Sequence, residues 1–374
     1  MTPAQLLREL IRRPSVNPAL LPPGDPRAGE ARVAGFLATL GRAAGLRVTR
    51  QPVAPGRANL LLTLPAAGRP RQRVLLAPHL DTVGAEPRQL HPVLRRGRLH
   101  GRGACDTKGS VAAMFCALAA VARAPRRPAQ TEIVLAALAD EEDAQRGSRA
   151  LVASGFTADL AIVGEPTGLR VVTVHKGSLW LRLETRGRAA HGARPELGRN
   201  AVLAMARIVT LLETEYAAAL RARPHPLLGP ATVNVGVIAG GVQPNIVPDR
   251  CEIHVDRRTL PGESLAGVQR EIRALLRLHH CRATISSLKT VPCPPLETDP
   301  DLPLVRRFLD ARGQRAPAGA DYFCDAAVLS AGGIPSVVFG PGDIAQAHTA
   351  DEWIALDQLA RATDLLTRFL AALP

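Results

Sequence analysis

The 374-residue sequence predicts an α/β protein, with a mainly parallel sheet domain interrupted by an inserted ferredoxin-like domain of β-α-β-β-α-β order. Three observations lead there. Continuous apolar runs, such as Val74-Leu75-Leu76-Ala77 and the run at 133–138, alternate with helical patterns in the first half. Such runs are what a sheet covered on both faces requires. From about Lys176 the pattern becomes strand, helix, two strands, helix, strand, the split βαβ arrangement. Pro292, Pro294 and Pro295 then mark a return to strand-helix alternation. The expected boundaries are 1–175 with 288–374 for the larger domain and 176–287 for the insert.

The opening MTPAQLLRELIRRPSVNP reads as a short amphipathic helix stopped by Pro14. Its scattered charges and lack of an apolar core argue against a secretory signal. Helices are expected at 28–44, 109–124 and 146–153, and strands at 58–64, 73–77, 131–139, 160–163 and 170–175. In the insert, strands at 178–186, 232–239, 251–256 and 282–286 surround helices at 199–220 and 263–278. The return supplies helices at 302–312 and 325–331, a strand at 336–339 and a closing helix at 351–370.

Hydrophobic residues make up 46% and aromatics 3%, so the core must be built from Ala, Leu and Val. The net charge of +14 invites a nucleic-acid partner. Yet lysine occurs only at Lys108, Lys176 and Lys289, the arginines are dispersed, and rings for base stacking are scarce. A solvated basic surface is expected instead, with no nucleic acid bound. No stretch approaches the roughly 18 apolar residues of a membrane span, so no membrane partner is expected either. Cys105, Cys116, Cys251, Cys281, Cys293 and Cys324 form no CxxC pair. Reduced thiols and a cytoplasmic location follow.

Potential ligand groups recur just after the apolar strands: His79 and Asp81, then Asp140-Glu141-Glu142-Asp143, Glu165 and His348. In open parallel sheets ligands bind beyond the carboxyl ends of the strands, so these groups can converge on one rim. Gly101-Arg102-Gly103-Ala104-Cys105-Asp106-Thr107-Lys108-Gly109 adds an Asp in a glycine-constrained loop before a helix. It lacks the spacing and the terminal Lys-Ser/Thr of a phosphate-binding loop. Two imidazoles with several carboxylates suit zinc, cobalt or manganese better than calcium, and the charge suffices for two ions around a shared carboxylate. Taken singly, each group also reads as an ordinary surface or core residue. The case rests on their agreement.

His79-Leu80-Asp81, Gly101-Arg102-Gly103 with Asp106-Thr107-Lys108-Gly109, Asp140-Glu141-Glu142, Gly164-Glu165-Pro166-Thr167 and Ala347-His348-Thr349 resemble, in order, the motifs of a di-zinc deacylase and exopeptidase family. That family includes acetylornithine deacetylase, succinyl-diaminopimelate desuccinylase, aminoacylase and carboxypeptidase G. Lys176-Gly177, Ala190-His191-Gly192 and the run from Asp256 to Gly262 extend the resemblance into the insert. It implies a bridging Asp106, one ion held with His79 and Glu165, and a second with Glu142 and His348. It further implies Asp81 as the orienting partner of His79 and Glu141 as general base. Residue type and spacing alone leave Glu141 and Glu142 interchangeable.

The resemblance also gives His191 a role in stabilising the oxyanion from across a homodimer, Arg258 a substrate carboxylate, and Asn245 a substrate contact. The insert would serve as lid and dimerisation domain. The reaction implied is hydrolysis of the amide of a small N-acyl amino acid. The run from Gly340 to Glu352 looks closest to acetylornithine deacetylase, with a desuccinylase or a di/tripeptidase as alternatives. A catalytically silent protein on this fold, or a basic nucleic-acid binder, is the reading from another class.

Overall fold

Strands Thr131–Ala137, Gln72–Pro78, Leu160–Gly164 and Ser336–Val338 lie side by side in parallel, and almost all their residues are buried. In this computed structural model, which describes residues 1–374, they form the centre of the larger of two units. That unit comprises Met1–Thr173, Thr298–Ala318 and Cys324–Pro374. The sheet is mixed: parallel at its centre, antiparallel at its flanks. The reason on one flank is a hairpin. Arg47–Ala54 and Arg57–Leu64 are joined across Pro55-Gly56, with Gly56 at a φ of 72°, and so short a connection permits only antiparallel pairing.

Helix Lys108–Arg123 is rich in alanine, the strongest helix former, and is buried along nearly its whole length. Helices Pro3–Ile11 and Leu356–Ala371 pack against it. Phe308, Phe339 and Phe369 add an edge-to-face trio with centroids 5.2 and 4.8 Å apart. The closing helix starts at Leu356 rather than 351, because Trp353–Ala355 is a strand paired with Arg98–His100. That small three-stranded sheet, completed by Val93–Arg95, leads residues 351 and 352 in beside the glycine loop.

The second unit comprises Val174–Glu297 and Gly319–Phe323. Its antiparallel sheet has the order Thr232–Gly240, Arg250–Thr259, Gly177–Arg186, Thr284–Ser287. The run Ala201–Leu211, Leu212–Tyr216, Ala217–Arg221 and the helix Leu265–Leu278 cover one face, burying Leu181, Leu183, Ile253 and Val255. Val268, Ile272 and Leu276 recur at four-residue spacing and supply the buried stripe of the second helix. Ser264 caps its N-terminus by accepting from the N–H of Gly267. No helix of the chain is long and apolar enough to cross a membrane.

Candidate metal centre

The strand ends of the larger unit carry the ligand groups. His79 follows Gln72–Pro78, Glu165 follows Leu160–Gly164, and the Asp140–Glu142 turn follows Thr131–Ala137. These three strands are parallel neighbours, so their carboxyl ends share one edge. Asp106 reaches the same place from the loop before helix Lys108–Arg123. The Thr107 hydroxyl donates to the Gly164 carbonyl at 2.6 Å, fastening that loop beside Glu165. His348 comes from the segment after Ser336–Val338.

Asp106 sits between the two imidazoles. Its Oδ1 lies 3.0 Å from His79 Nε2 and its Oδ2 lies 3.3 Å from His348 Nε2. Glu165 Oε1 is 3.7 Å from His79 Nε2, and Glu142 Oε2 is 3.1 Å from His348 Nε2. One His and one Glu therefore flank each oxygen of a single aspartate. His79, Asp106 and Glu142 each present a donor atom within 4.8 Å of the others.

The turn bearing Glu141 and Glu142 is braced from several sides. Asp81 Oδ1 and Oδ2 accept the backbone N–H groups of Glu141 and Glu142, each at 3.1 Å. The Asn17 amide bridges Asp81 at 2.8 Å and Asp140 at 3.1 Å. Asp140, at a φ of 73°, is gripped by Arg57, which also pairs with Glu30. Gln145 Nε2 donates to the Glu141 carbonyl at 2.8 Å. Asp81 thus braces this turn as well as lying beside His79. The nearest acceptor to His79 Nδ1 is the backbone carbonyl of Asp81 at 3.0 Å, with Asp81 Oδ1 at 3.6 Å.

The charges explain what the cluster demands. Burial drives the pKa of Glu141, Glu142 and Glu165 upward, and the surrounding carboxylates add to it against the opposing pull of His79 and, for Glu142, first of the hydrogen bond from His348. For Asp106 the hydrogen bonds from His348 and His79 overcome burial and hold it far below the usual range. Burial opposes charge on His79, but Asp106 and Asp81 outweigh it. Hydrogen bonds to Asp106 and Glu142 raise His348 to about 10. Buried carboxylates thus crowd around the two imidazoles, and burial opposes the negative charge they carry together. The pocket calls for positive charge, and Glu142 Oε1 is buried with no hydrogen-bond partner. A mixed imidazole and carboxylate donor set with an orphaned buried oxygen fits divalent ions of the zinc, cobalt or manganese type.

The profile of peptidase family M20/M25/M40 matches residues 75–372 of this sequence. The chain belongs to peptidase family M20. It is accordingly a metallohydrolase of the deacylase and peptidase kind. Acetylornithine deacetylase of Myxococcus xanthus is 34% identical over 322 residues, covering 84% of this chain and 83% of its own. Aminopeptidase PepT from Bacillus cereus shares the fold, with a TM-score of 0.79 at 22% identity over 99% of this chain and 97% of its own. A dinuclear metal-binding M20 peptidase from Bacillus subtilis gives a TM-score of 0.72 at 12% identity, over 99% of this chain and 96% of its own.

The remaining expected site residues of this M20 chain lie in the second unit. His191 and Asn245 are neighbours: residue 191 bridges Ile246, and the Gly192 N–H donates to the Asn245 carbonyl at 2.7 Å. Both are exposed. Arg258 pairs through Nε with Asp256 Oδ2 at 3.0 Å.

Two residues escaped the sequence reading. Glu352 is a fully buried carboxylate that accepts from Arg102 Nη1 at 2.7 Å and from the N–H groups of Gly103, Cys105 and Asp106 at 3.0, 2.8 and 3.0 Å. Its sequence signal is faint, an acid four residues after His348 at the start of an apolar stretch. Asn17, between Asp81 and Asp140, carries no sequence signal, since a lone Asn before a proline reads as a turn. Asp325 is 1% exposed, accepts from the Ser148 hydroxyl at 2.5 Å and is raised to about 6 chiefly by burial. Asp343 accepts the N–H of Ala345 at 3.0 Å.

Proposed function

We propose that this M20 metallohydrolase cleaves the amide bond of a small N-acyl amino acid, in the manner of the acetylornithine deacetylases it resembles. The observation that carries the reading is Asp106, one oxygen facing His79 and the other His348, with a glutamate beside each. On this reading Asp106 would be shared between two divalent ions, His79 and Glu165 would hold one, and Glu142 and His348 would hold the other. Zinc is the expected metal, with cobalt and manganese accepted by the same donors. The ions would supply Lewis acidity toward the scissile carbonyl and make water a stronger acid.

Glu141 is assigned the proton transfers. Its backbone is pinned on both sides, N–H to Asp81 and carbonyl to Gln145, and the charges of His79, Glu165 and Glu142 act on its carboxyl. It takes the proton from the attacking water and returns it to the departing amine. In the second unit, His191 is assigned to the developing oxyanion, Arg258 to the substrate carboxylate and Asn245 to a further polar contact.

The unit is assigned a lid and dimerisation role, supported by exposed Val237, Ile238 and Leu203. The first two lie on the edge strand Thr232–Gly240, and the third lies on helix Ala201–Leu211. A cytoplasmic setting fits six free cysteines.

The test is a turnover screen of zinc- and cobalt-loaded enzyme against N-acetylornithine, N-succinyl-diaminopimelate, other acyl amino acids and dipeptides. Preferred cleavage of N-acetylornithine supports the full reading. Preference for a succinyl substrate or a dipeptide moves the substrate within the reaction class. No cleavage of any of them by enzyme carrying two ions rejects it.

A further inference from the structure

The second unit contains a cavity of about 330 Å³ that has no part in the hydrolytic reading. Leu179, Leu265, Val291 and Pro292 contribute apolar walls, and Lys289 lines the cavity with them. Its size falls at the lower end of small-molecule pockets, roughly 300–1,000 Å³, and a mostly apolar lining with a few polar groups is their usual character.

Lys289 sets the charge. Its ammonium lies 3.3 Å from the Ser178 hydroxyl and 3.5 Å from Cys293 Sγ. It also faces the ring of Trp180 at 4.6 Å and that of Phe323 at 5.9 Å. None of these neighbours is an acid. The carboxylate that lines the cavity, Glu263, is already spent: it accepts from Arg257 Nη2 at 2.6 Å and from the Leu260 N–H at 2.8 Å. An ammonium lodged against rings and a thiol, beside an apolar hollow, lacks a counter-charge that a ligand can bring. The positive end of helix Leu265–Leu278 borders the same space and favours the same sign.

We propose that this cavity binds a small organic monocarboxylate with an aromatic or branched apolar body, its carboxylate on Lys289 and its body among Leu179, Leu265, Val291 and Pro292. None of the residues lining it belongs to the metal cluster, and the proposal is independent of which amide the enzyme cleaves.

The chain supplies its own reporter, since Trp180 and Trp353 are its two tryptophans. Trp353→Phe in the metal-loaded protein leaves Trp180, which touches the Lys289 ammonium, as the sole emitter. Titration with 3-phenylpropanoate should change its emission saturably in the millimolar range or below. 3-Phenylpropanamide, which has the same body without the charge, should bind at least tenfold more weakly. Lys289→Met should weaken the acid by a similar factor while leaving hydrolytic turnover unchanged, which also certifies that the variant is folded. Equal binding of acid and amide, undiminished binding in Lys289→Met, or no saturable change into the millimolar range overturns the proposal. The amide comparison needs no variant, so misfolding of Lys289→Met would not shelter it.

Discussion

The carboxylate of Glu352 accepts the backbone N–H of Asp106 at 3.0 Å across 246 residues of sequence. The same oxygen takes the N–H of Cys105, while its twin takes Gly103 and Arg102. One buried side chain therefore fixes the path of the loop that aims Asp106 between the two imidazoles. Glu352→Ala strands the Arg102 guanidinium and three N–H groups without their acceptor. Loss of one partner from a buried ion pair costs about 3–5 kcal/mol. An unfolding free energy in urea melts lowered to that extent, together with lower metal content, is the expected result. A variant with wild-type stability and two tightly held ions would show that the loop holds its own shape.

Glu141→Gln keeps the length of the side chain and removes its ability to take a proton. Turnover should drop by at least about 10²–10⁴-fold, the range for loss of a general base. Elemental analysis should still find two ions per chain. Near-normal turnover would reassign the base, with Glu142 the first alternative.

Removing one flank of Asp106 should unbalance the pair of ions. His348→Ala is expected to bind roughly one ion per chain, with the His79 and Glu165 side retained. Chelation of wild-type enzyme should abolish turnover and lower Tm, because an ion present at a thousand times its Kd stabilises the folded state by about 4 kcal/mol. An unchanged stoichiometry in His348→Ala would remove that residue from the ligand set.

His175 offers a pH test away from the cluster. It is fully buried, its Nδ1 donates to the Lys176 carbonyl at 2.9 Å, and its Nε2 has no partner. Burial lowers its pKa to about 4 from the 6.5 of a free ring. Between those values the unfolded chain binds more protons than the folded one, so stability falls as pH falls through that window. Below about 4 both states are protonated and this contribution stops changing. The loss should reach on the order of 3 kcal/mol. It should be read as the difference between wild type and His175→Gln across a series of urea melts. A constant difference from pH 7 to pH 4 would mean that the ring does not titrate as assigned.

Much of this could be read in advance because the signals are local. Buried runs such as Val74-Leu75-Leu76-Ala77 announce a sheet covered on both faces, and ligand residues just after them follow from where parallel strands end. Strand Arg47–Ala54 was missed because it is a half-exposed edge. Arg47, Thr49 and Arg50 face solvent, and Pro52 within it argues against a strand. The start of the closing helix was misplaced because Trp353–Ala355 owes its extended form to pairing with Arg98–His100, a partner more than 250 residues away. Glu352 and Asn17 were invisible for a related reason. Their work is to accept or donate hydrogen bonds to distant backbone and carboxylates, and no spacing rule records that.

The Lys108 side chain, two residues after Asp106, is 1% exposed and runs back to donate to the carbonyls of Leu10 at 3.0 Å and Arg13 at 2.9 Å, at the end of helix Pro3–Ile11. That helix contributes no ligand, yet the loop carrying Asp106 is anchored on it. A protease nick or a truncation that removed residues 1–13 would take both acceptors from the buried Lys108 ammonium, on a residue two positions from Asp106. Damage at the leading edge of the polypeptide would then register as a failure to retain ions, and an affinity handle placed there belongs on a spacer long enough to leave the first helical turn undisturbed.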